Sequence, residues 1–311
     1  MKIVFMGTPD FAVNTLESLI EAGHEIALVV TQSDKAKGRG KKLVFPPVKE
    51  TALVHGLEVA QPDRVRDSEF VERLTKIAPD VIVVVAFGQI LPESILSLPR
   101  LGCVNVHASL LPEYRGAAPI QWAVIDGLKK TGVTTMYMDK GLDTGDIIDQ
   151  RIIDISSDET GGSLFDKLAV LGGEIIVDTL DKLDKGTANR TKQDDSKSSY
   201  AKMLSKEMGL IDFSEDAVVI ERLIRGLNPW PSAYTKLDGK ILKIYNALVV
   251  DENDSAKEKP GTVIAVDKKS FTVSCGVGAL RVLNLQLEGK KRMDADAFLR
   301  GYEINVGTVL N

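Results

Sequence analysis

The sequence predicts an α/β protein in two parts: a doubly wound, mainly parallel, Rossmann-like sheet, then a smaller OB-like β-barrel domain. Three observations predict it. Apolar strand-like runs alternate with helical periods through the first half of the chain. Residues 80–86 (Asp-Val-Ile-Val-Val-Val-Ala) are rich in β-branched side chains, as in a strand buried on both faces. Beyond residue 199 the texture changes to short runs separated by turn residues roughly every ten positions.

In order, residues 2–6 form the first strand. Phe11, Leu16, Leu19 and Ile20 give residues 10–21 one apolar helical face. Residues 25–30 are a second strand, 47–55 and 69–77 are helices, and 103–107 and 133–138 are further strands. A long helix over 163–183 closes the first domain. Residues 187–199 carry no apolar period and read as a linker by composition. The second domain is predicted to hold a helix over 217–227 and strands at 240–245, 261–266, 270–274 and 279–285. The expected division is a catalytic domain over 1–187, a linker over 188–205, and a C-terminal domain over 206–311.

The chain has 311 residues, and its 44% hydrophobic content suffices for two cores. No apolar run reaches the roughly 18 residues of a membrane span, and the first residues are interrupted too soon for a signal peptide. The two cysteines, Cys103 and Cys275, are far apart and lack metal-ligand spacing, and three histidines argue against a His-rich metal centre. A monomer in a reducing cytoplasm is the simplest expectation. The net charge is −5, yet residues 34–49 hold six cations and one acid. One basic loop on an acidic body suggests local contact with a phosphate-bearing partner.

The first strand ends in Gly7-Thr8-Pro9-Asp10, without the Gly-x-Gly-x-x-Gly spacing that lets backbone approach a pyrophosphate. A P-loop is missing too, so nicotinamide and ATP readings lose most support. Ligands of open α/β sheets still sit beyond the carboxyl ends of strands. The richest such end is the run 103–112, where Asn105 and His107 share a face by strand alternation. A second candidate follows the strand at 133–138: Asp143 lies between Gly141 and Gly145, which let the backbone turn sharply. An amide, an imidazole and a carboxylate suit acyl transfer. Attack of an amine on a formyl carbon makes an oxyanion and an ammonium. Amide and imidazole N–H groups could bind the first, and the acid could relay the surplus proton. Taken singly, the same residues also fit ordinary strand-end and turn roles. Cys103 reads as a small buried residue, since no base is specified for it.

The run Asn105-Val106-His107-Ala108-Ser109-Leu110-Leu111-Pro112-Glu113-Tyr114-Arg115-Gly116 resembles a signature of the formyltransferases that use 10-formyltetrahydrofolate. Gly141-Leu142-Asp143-Thr144-Gly145-Asp146 resembles their second signature. The resemblance implies that Asn105, His107 and Asp143 are catalytic and that Ser109, Leu110, Leu111 and Pro112 line the folate site. It also implies that Phe87, Gly88, Gln89, Ile90 and Leu91 hold the pterin ring, with no metal required. Three further stretches are similar to the branch of that family acting on methionyl-initiator tRNA. They are Gly38-Arg39-Gly40-Lys41-Lys42, Tyr200-Ala201-Lys202-Met203-Leu204-Ser205-Lys206-Glu207 and Asn228-Pro229-Trp230-Pro231. That likeness implies tRNA contact by Lys35, Lys37, Arg39, Lys41 and Lys42, and a C-terminal domain that helps carry tRNA. Ser33 and Ala36 stand where that branch is expected to have proline. From the residues alone, a small amine such as an amino sugar nucleotide stays open as acceptor, and so does a non-catalytic RNA-binding protein.

Overall fold

The computed structural model describes residues 1–37, 42–250 and 258–310. In chain order its first elements are β1 (Lys2–Gly7), α1 (Phe11–Glu21), β2 (Glu25–Val30), β3 (Lys35–Lys37), β4 (Lys42–Val44), α2 (Pro47–Val54), β5 (Val59–Ala60), α3 (Ser68–Ile77), β6 (Val81–Val85) and α4 (Glu93–Leu96). Then follow β7 (Cys103–His107), β8 (Arg115–Gly116), α5 (Pro119–Ile125), β9 (Lys130–Tyr137), β10 (Ile147–Asp154), α6 (Gly161–Asp184) and β11 (Tyr200–Ala201). The remainder is α7 (Ala217–Gly226), β12 (Ala233–Leu237), β13 (Lys240–Val250), β14 (Val263–Val266), β15 (Phe271–Ser274), β16 (Ala279–Leu287), β17 (Met293–Asp294) and α8 (Ala295–Leu299). Two compact units result. One comprises Met1–Pro119, Lys130–Asp154 and Phe165–Ala201, and the other Ile120–Lys129, Ile155–Leu164 and Lys202–Asn311.

The first unit is built on a seven-stranded sheet of order β10-β9-β7-β6-β1-β2-β5. The pairs among β7, β6, β1, β2 and β5 are parallel, while β7–β9 and β9–β10 are antiparallel. Every residue of β6 is buried, as the near-continuous β-branched run demands of a central parallel strand. Full burial of each such side chain contributes about 1.5–3 kcal/mol. The edge strand β10 buries Ile148 but leaves most of its other side chains at least partly exposed, as an antiparallel edge permits. Helix α1 buries Phe11, Ala12, Thr15, Leu16 and Leu19 along one face. Helix α6 packs beside it, with Phe165 edge-on to Phe11 at 5.4 Å between ring centroids and Thr179 hydrogen-bonded to Thr135 of β9 at 2.8 Å. After β5 the chain returns to pair β6 on the other side of β1. The order therefore reverses between β1 and β6, the place where open sheets open a crevice.

The second unit carries an antiparallel sheet of order β12-β13-β16-β15-β14, with β17 added to β16. Its core gathers Phe271, Leu242, Ile244 and Leu285 beneath Ile220 and Ile224 of α7. Among the described residues no ladder joins β12 to β14. Leu210 bridges Tyr234 on one edge strand, and Val309 bridges Thr262 beside the other. The expected strands are present, and β13 continues to Val250 and β16 to Leu287. Helix α5, β10 and β12 were not anticipated, because their residues show no single period over enough positions.

The segment expected to link two domains is laid along the first unit as far as Ala201. Thr191 exchanges backbone hydrogen bonds with Ile147 at 2.8 and 2.9 Å, Gln193 is only 6% exposed, and Tyr200–Ala201 pairs in parallel with Arg115–Gly116. These attachments are polar, so hydrophobic periodicity carries no trace of them.

Candidate active site

Strand β7 places Asn105 and His107 on one face, with Asn105 opposite Met136 and His107 opposite Thr134 of β9. Both side chains are almost wholly buried, at 8% and 7% exposure. No described residue hydrogen-bonds the Asn105 amide. Its polar atoms are not among the described side-chain atoms that are both sealed from solvent and unpartnered, so the amide is open to a ligand.

His107 is held from both sides. Its Nε2 lies 2.9 Å from the Tyr114 carbonyl. A carbonyl only accepts, so Nε2 carries a hydrogen and the neutral ring presents Nδ1 as its acceptor. Nδ1 faces Asp143 Oδ2 at 3.7 Å, slightly beyond hydrogen-bond range. The same Oδ2 accepts the Gly116 N–H at 2.9 Å. The two signature segments thus meet, with loop 114–116 supplying one anchor to the imidazole and one to the carboxylate.

Asp143 reaches His107 by a route the sequence did not suggest. The sequence reading put both groups at neighbouring strand ends on one rim. Because β9 runs antiparallel to β7, its last residue Tyr137 pairs with Val104, near the start of β7. The loop 139–146 leaves from there and folds back to bring its carboxylate beside His107. Asp139 Oδ1 ties the loop's base, accepting from Gly141 N at 2.9 Å and Thr144 Oγ1 at 2.7 Å. Asp143 itself has φ +54°, a left-handed conformation that Asp tolerates better than most residues. Gly145 is required for close approach, since a Cβ there would fall 1.8 Å from the Tyr137 carbonyl oxygen.

The clamp on that loop comes from Gln193, which sequence reasoning missed because it lies in the compositional linker. Gln193 Nε2 donates to the carbonyls of Asp143 (2.9 Å) and Gly145 (2.7 Å). Its Oε1 accepts two bonds from Arg115, at 3.1 and 2.8 Å. Loop 114–116 is itself pinned by Tyr114 N–H to Ser199 Oγ at 2.8 Å and Arg115 N–H to the Ser199 carbonyl at 2.9 Å.

The residues expected to line a folate site divide by burial. Ser109 and Leu111 are buried, while Leu110 and Pro112 are half-buried. The Ser109 hydroxyl donates to the Glu113 carbonyl at 2.6 Å, and Thr134 Oγ1 and Gln150 Nε2 fix the backbone of Ser109 and Leu111. These side-chain staples fix the geometry of the turn. Phe87 and Leu91 are buried, Gln89 is half-buried, and Gly88 and Ile90 are exposed. The Phe87 carbonyl accepts from Thr8 and Gln32, so the segment sits at the β1/β6 reversal. Gln89 accepts from Val65 N–H at 3.1 Å and thereby supports loop 62–65. A polar cavity of about 340 Å³ opens beside it, lined by Gln32, Ser33, Asp34, Lys35, Pro62, Asp63 and Gln89. That cavity includes neither Asn105 nor His107.

Lys35 is exposed on β3, which pairs with β4 through Lys37 and Lys42. Arg39 and Lys41 lie outside the described residues. The root of this hairpin is fixed by Lys49, which bonds both Asp34 carboxylate oxygens at 2.9 Å and Gln61 at 2.8 Å. The Lys49 and Gln61 hydrogen bonds hold the Asp34 carboxyl below its ordinary range. Burial pushes the Cys103 thiol up to about 12, which removes it as a nucleophile at neutral pH.

The chain matches the formyl transferase family over residues 1–180 and the formyl transferase C-terminal domain over 203–303. It is 58% identical to the methionyl-tRNA formyltransferase of Lachnospira eligens over 313 aligned positions, covering 100% of this chain and 99% of that one. It is 56% identical to the methionyl-tRNA formyltransferase of Agathobacter rectalis, with 99% of each covered. Among solved structures, WlaRD, a sugar 3N-formyl transferase crystallised with dTDP and 5-N-formyl-THF, superposes with a TM-score of 0.66 at 20% identity, over 94% of this chain and 99% of that one. HypX from Aquifex aeolicus in complex with tetrahydrofolic acid gives 0.65 at 18% identity, over 99% of this chain and 50% of that one. At such identities the structural likeness speaks for the fold.

Proposed function

The chain belongs to the formyl transferase family, and from that premise we propose that it transfers the formyl group of 10-formyltetrahydrofolate to the α-amino group of methionyl-initiator tRNA. It is a formyl transferase acting on methionyl-tRNA with a folate-derived donor. The identity of the donor as the 10-formyl compound, the choice of initiator tRNA and a cytoplasmic setting are our reading. No helix among the described residues is long and apolar enough to cross a membrane.

One observation carries the mechanism. An amide with no hydrogen-bond partner among the described residues sits on the same strand face as an imidazole between a carbonyl and a carboxylate. When the amine nitrogen bonds to the formyl carbon, the carbonyl oxygen gains charge. The Asn105 amide is the free donor available to it. The His107 Nε2 hydrogen is engaged by Tyr114, so the oxyanion role falls on Asn105 rather than on both. The attacking nitrogen must lose one proton, and Nδ1 of His107 is the vacant acceptor. Asp143 lies beside it and stabilises the imidazolium that results. As the carbon–nitrogen bond to the donor breaks, that proton returns to the leaving nitrogen, so the cycle needs no net proton from solvent. Lys35, Lys37, Arg39, Lys41 and Lys42 supply cations for phosphate contact, and the C-terminal domain adds surface for the tRNA.

The test is transfer of labelled formyl from 10-formyltetrahydrofolate. Methionyl-initiator tRNA should be formylated far faster than methionyl-elongator tRNA or an amino sugar nucleotide. Preferred transfer to the sugar would overturn the reading.

A further inference from the structure

We propose that Gln193 is a positioning residue for this reaction, holding the Asp143 carboxylate against His107 by clamping the loop that carries it; the proposal rests on the catalytic reading above.

The need for a clamp follows from topology. Asp143 does not stand at the end of a strand beside His107. Its loop starts near the opposite end of β7 and must double back, and the residue takes a left-handed conformation at its turn. A strand end is held by its ladder, but a returning loop has none. Left to itself it would sample many arrangements, and a displacement of about 1 Å at a reacting group costs roughly a hundredfold in rate.

Gln193 is built to remove that freedom. It is 6% exposed, and both ends of its amide are engaged. Nε2 spends two hydrogens on two carbonyls of the loop, those of Asp143 and Gly145, at 2.9 and 2.7 Å. Oε1 takes both the Nε and Nη2 donors of Arg115. Arg115 is flanked by Tyr114, whose carbonyl anchors His107 Nε2, and by Gly116, whose N–H anchors Asp143 Oδ2. One side chain therefore couples the carboxylate's loop to the loop that fixes the imidazole. An amide is the group that fits, because it alone presents two donors one way and an acceptor the other. Arg115 is further tied to Asp195 at 2.8 Å, which orients the guanidinium toward Gln193.

The experiment uses the full-length enzyme and the Q193E variant. Glutamate keeps the acceptor face that Arg115 grips, so the segment stays attached, but it turns an acceptor toward two carbonyls and releases the loop. Expected is a fall in kcat of about 10- to 100-fold, with KM for either substrate changed less than about threefold and circular dichroism unaltered. The discriminating measurement repeats the change in a D143N background under single-turnover conditions. If Gln193 acts through Asp143, Q193E costs less than about threefold there, because the carboxylate it would place is already gone. An undiminished loss in that background overturns the proposal, as does wild-type kcat in Q193E itself. Should Q193E fail to fold, R115K carries the test by the same criteria, since lysine loses the paired grip on Oε1. Failure of the underlying catalytic reading shows separately, as wild-type turnover by D143N alone.

Discussion

Replacing Asp143 by asparagine removes one charge and almost nothing else. The amide oxygen can still accept the Gly116 N–H now bound at 2.9 Å, and asparagine tolerates the +54° φ as well as aspartate does. Stability should therefore change by no more than about 1 kcal/mol, a melting shift of about 1.5 °C for a chain of 311 residues. The reaction should suffer far more. When His107 takes the amine's proton, Nδ1 becomes cationic 3.7 Å from Oδ2. At that separation and an effective dielectric near 20, the carboxylate stabilises the imidazolium by about 4 kcal/mol. Losing it should slow the chemical step roughly a thousandfold. The assay is single-turnover transfer of labelled formyl to methionyl-initiator tRNA at saturating donor, alongside thermal melting. A folded variant within about tenfold of wild type would refute the assignment of Asp143 to the proton's path.

Replacing Asn105 by alanine should cut kcat by about 100- to 1000-fold with folding retained, because the oxyanion loses its donor; an unchanged kcat would return the oxyanion role to His107. Replacing Arg39 or Lys42 by alanine should raise the KM for tRNA and lower the slope of log affinity against log salt by about 0.7–0.9 per lost phosphate contact, leaving folate KM unchanged. An identical salt slope would reject the loop's role. Asp80 accepts the Lys2 N–H at 2.8 Å and Arg100 Nε at 3.0 Å, and these hold its carboxyl below the ordinary range. A lowered folded-state pKa means that the stabilisation is present at neutral pH and lost as pH falls through that lowered value. Asp80→Asn should thus be less stable than wild type at pH 7, with the gap closing as pH falls through that lowered value; a gap independent of pH would contradict this.

The legibility of this chain follows the range of its interactions. β6 was readable because five consecutive buried positions leave a continuous apolar run. α1 was readable because one face repeats at helical spacing. The pairing of Asn105 with His107 followed from strand alternation alone. Within the expected linker over 188–205, the stretch up to Ala201 gave no sign of its attachment because what fastens it is polar: a backbone bridge at Thr191, the amide of Gln193, and a two-residue strand against Arg115–Gly116. Such contacts leave no period.

By itself the sequence determined the fold class, the elements with strong periods and the kinds of groups available to a formyl transfer. These properties are written in neighbouring residues. Only the tertiary structure decided which way β9 runs, and hence that Asp143 comes back from the far end of β7 to meet His107 under the hold of Gln193. The physical reason is that strand direction and long-range hydrogen bonds are settled by partners 27 to 78 positions away along the chain, where local pattern has no reach.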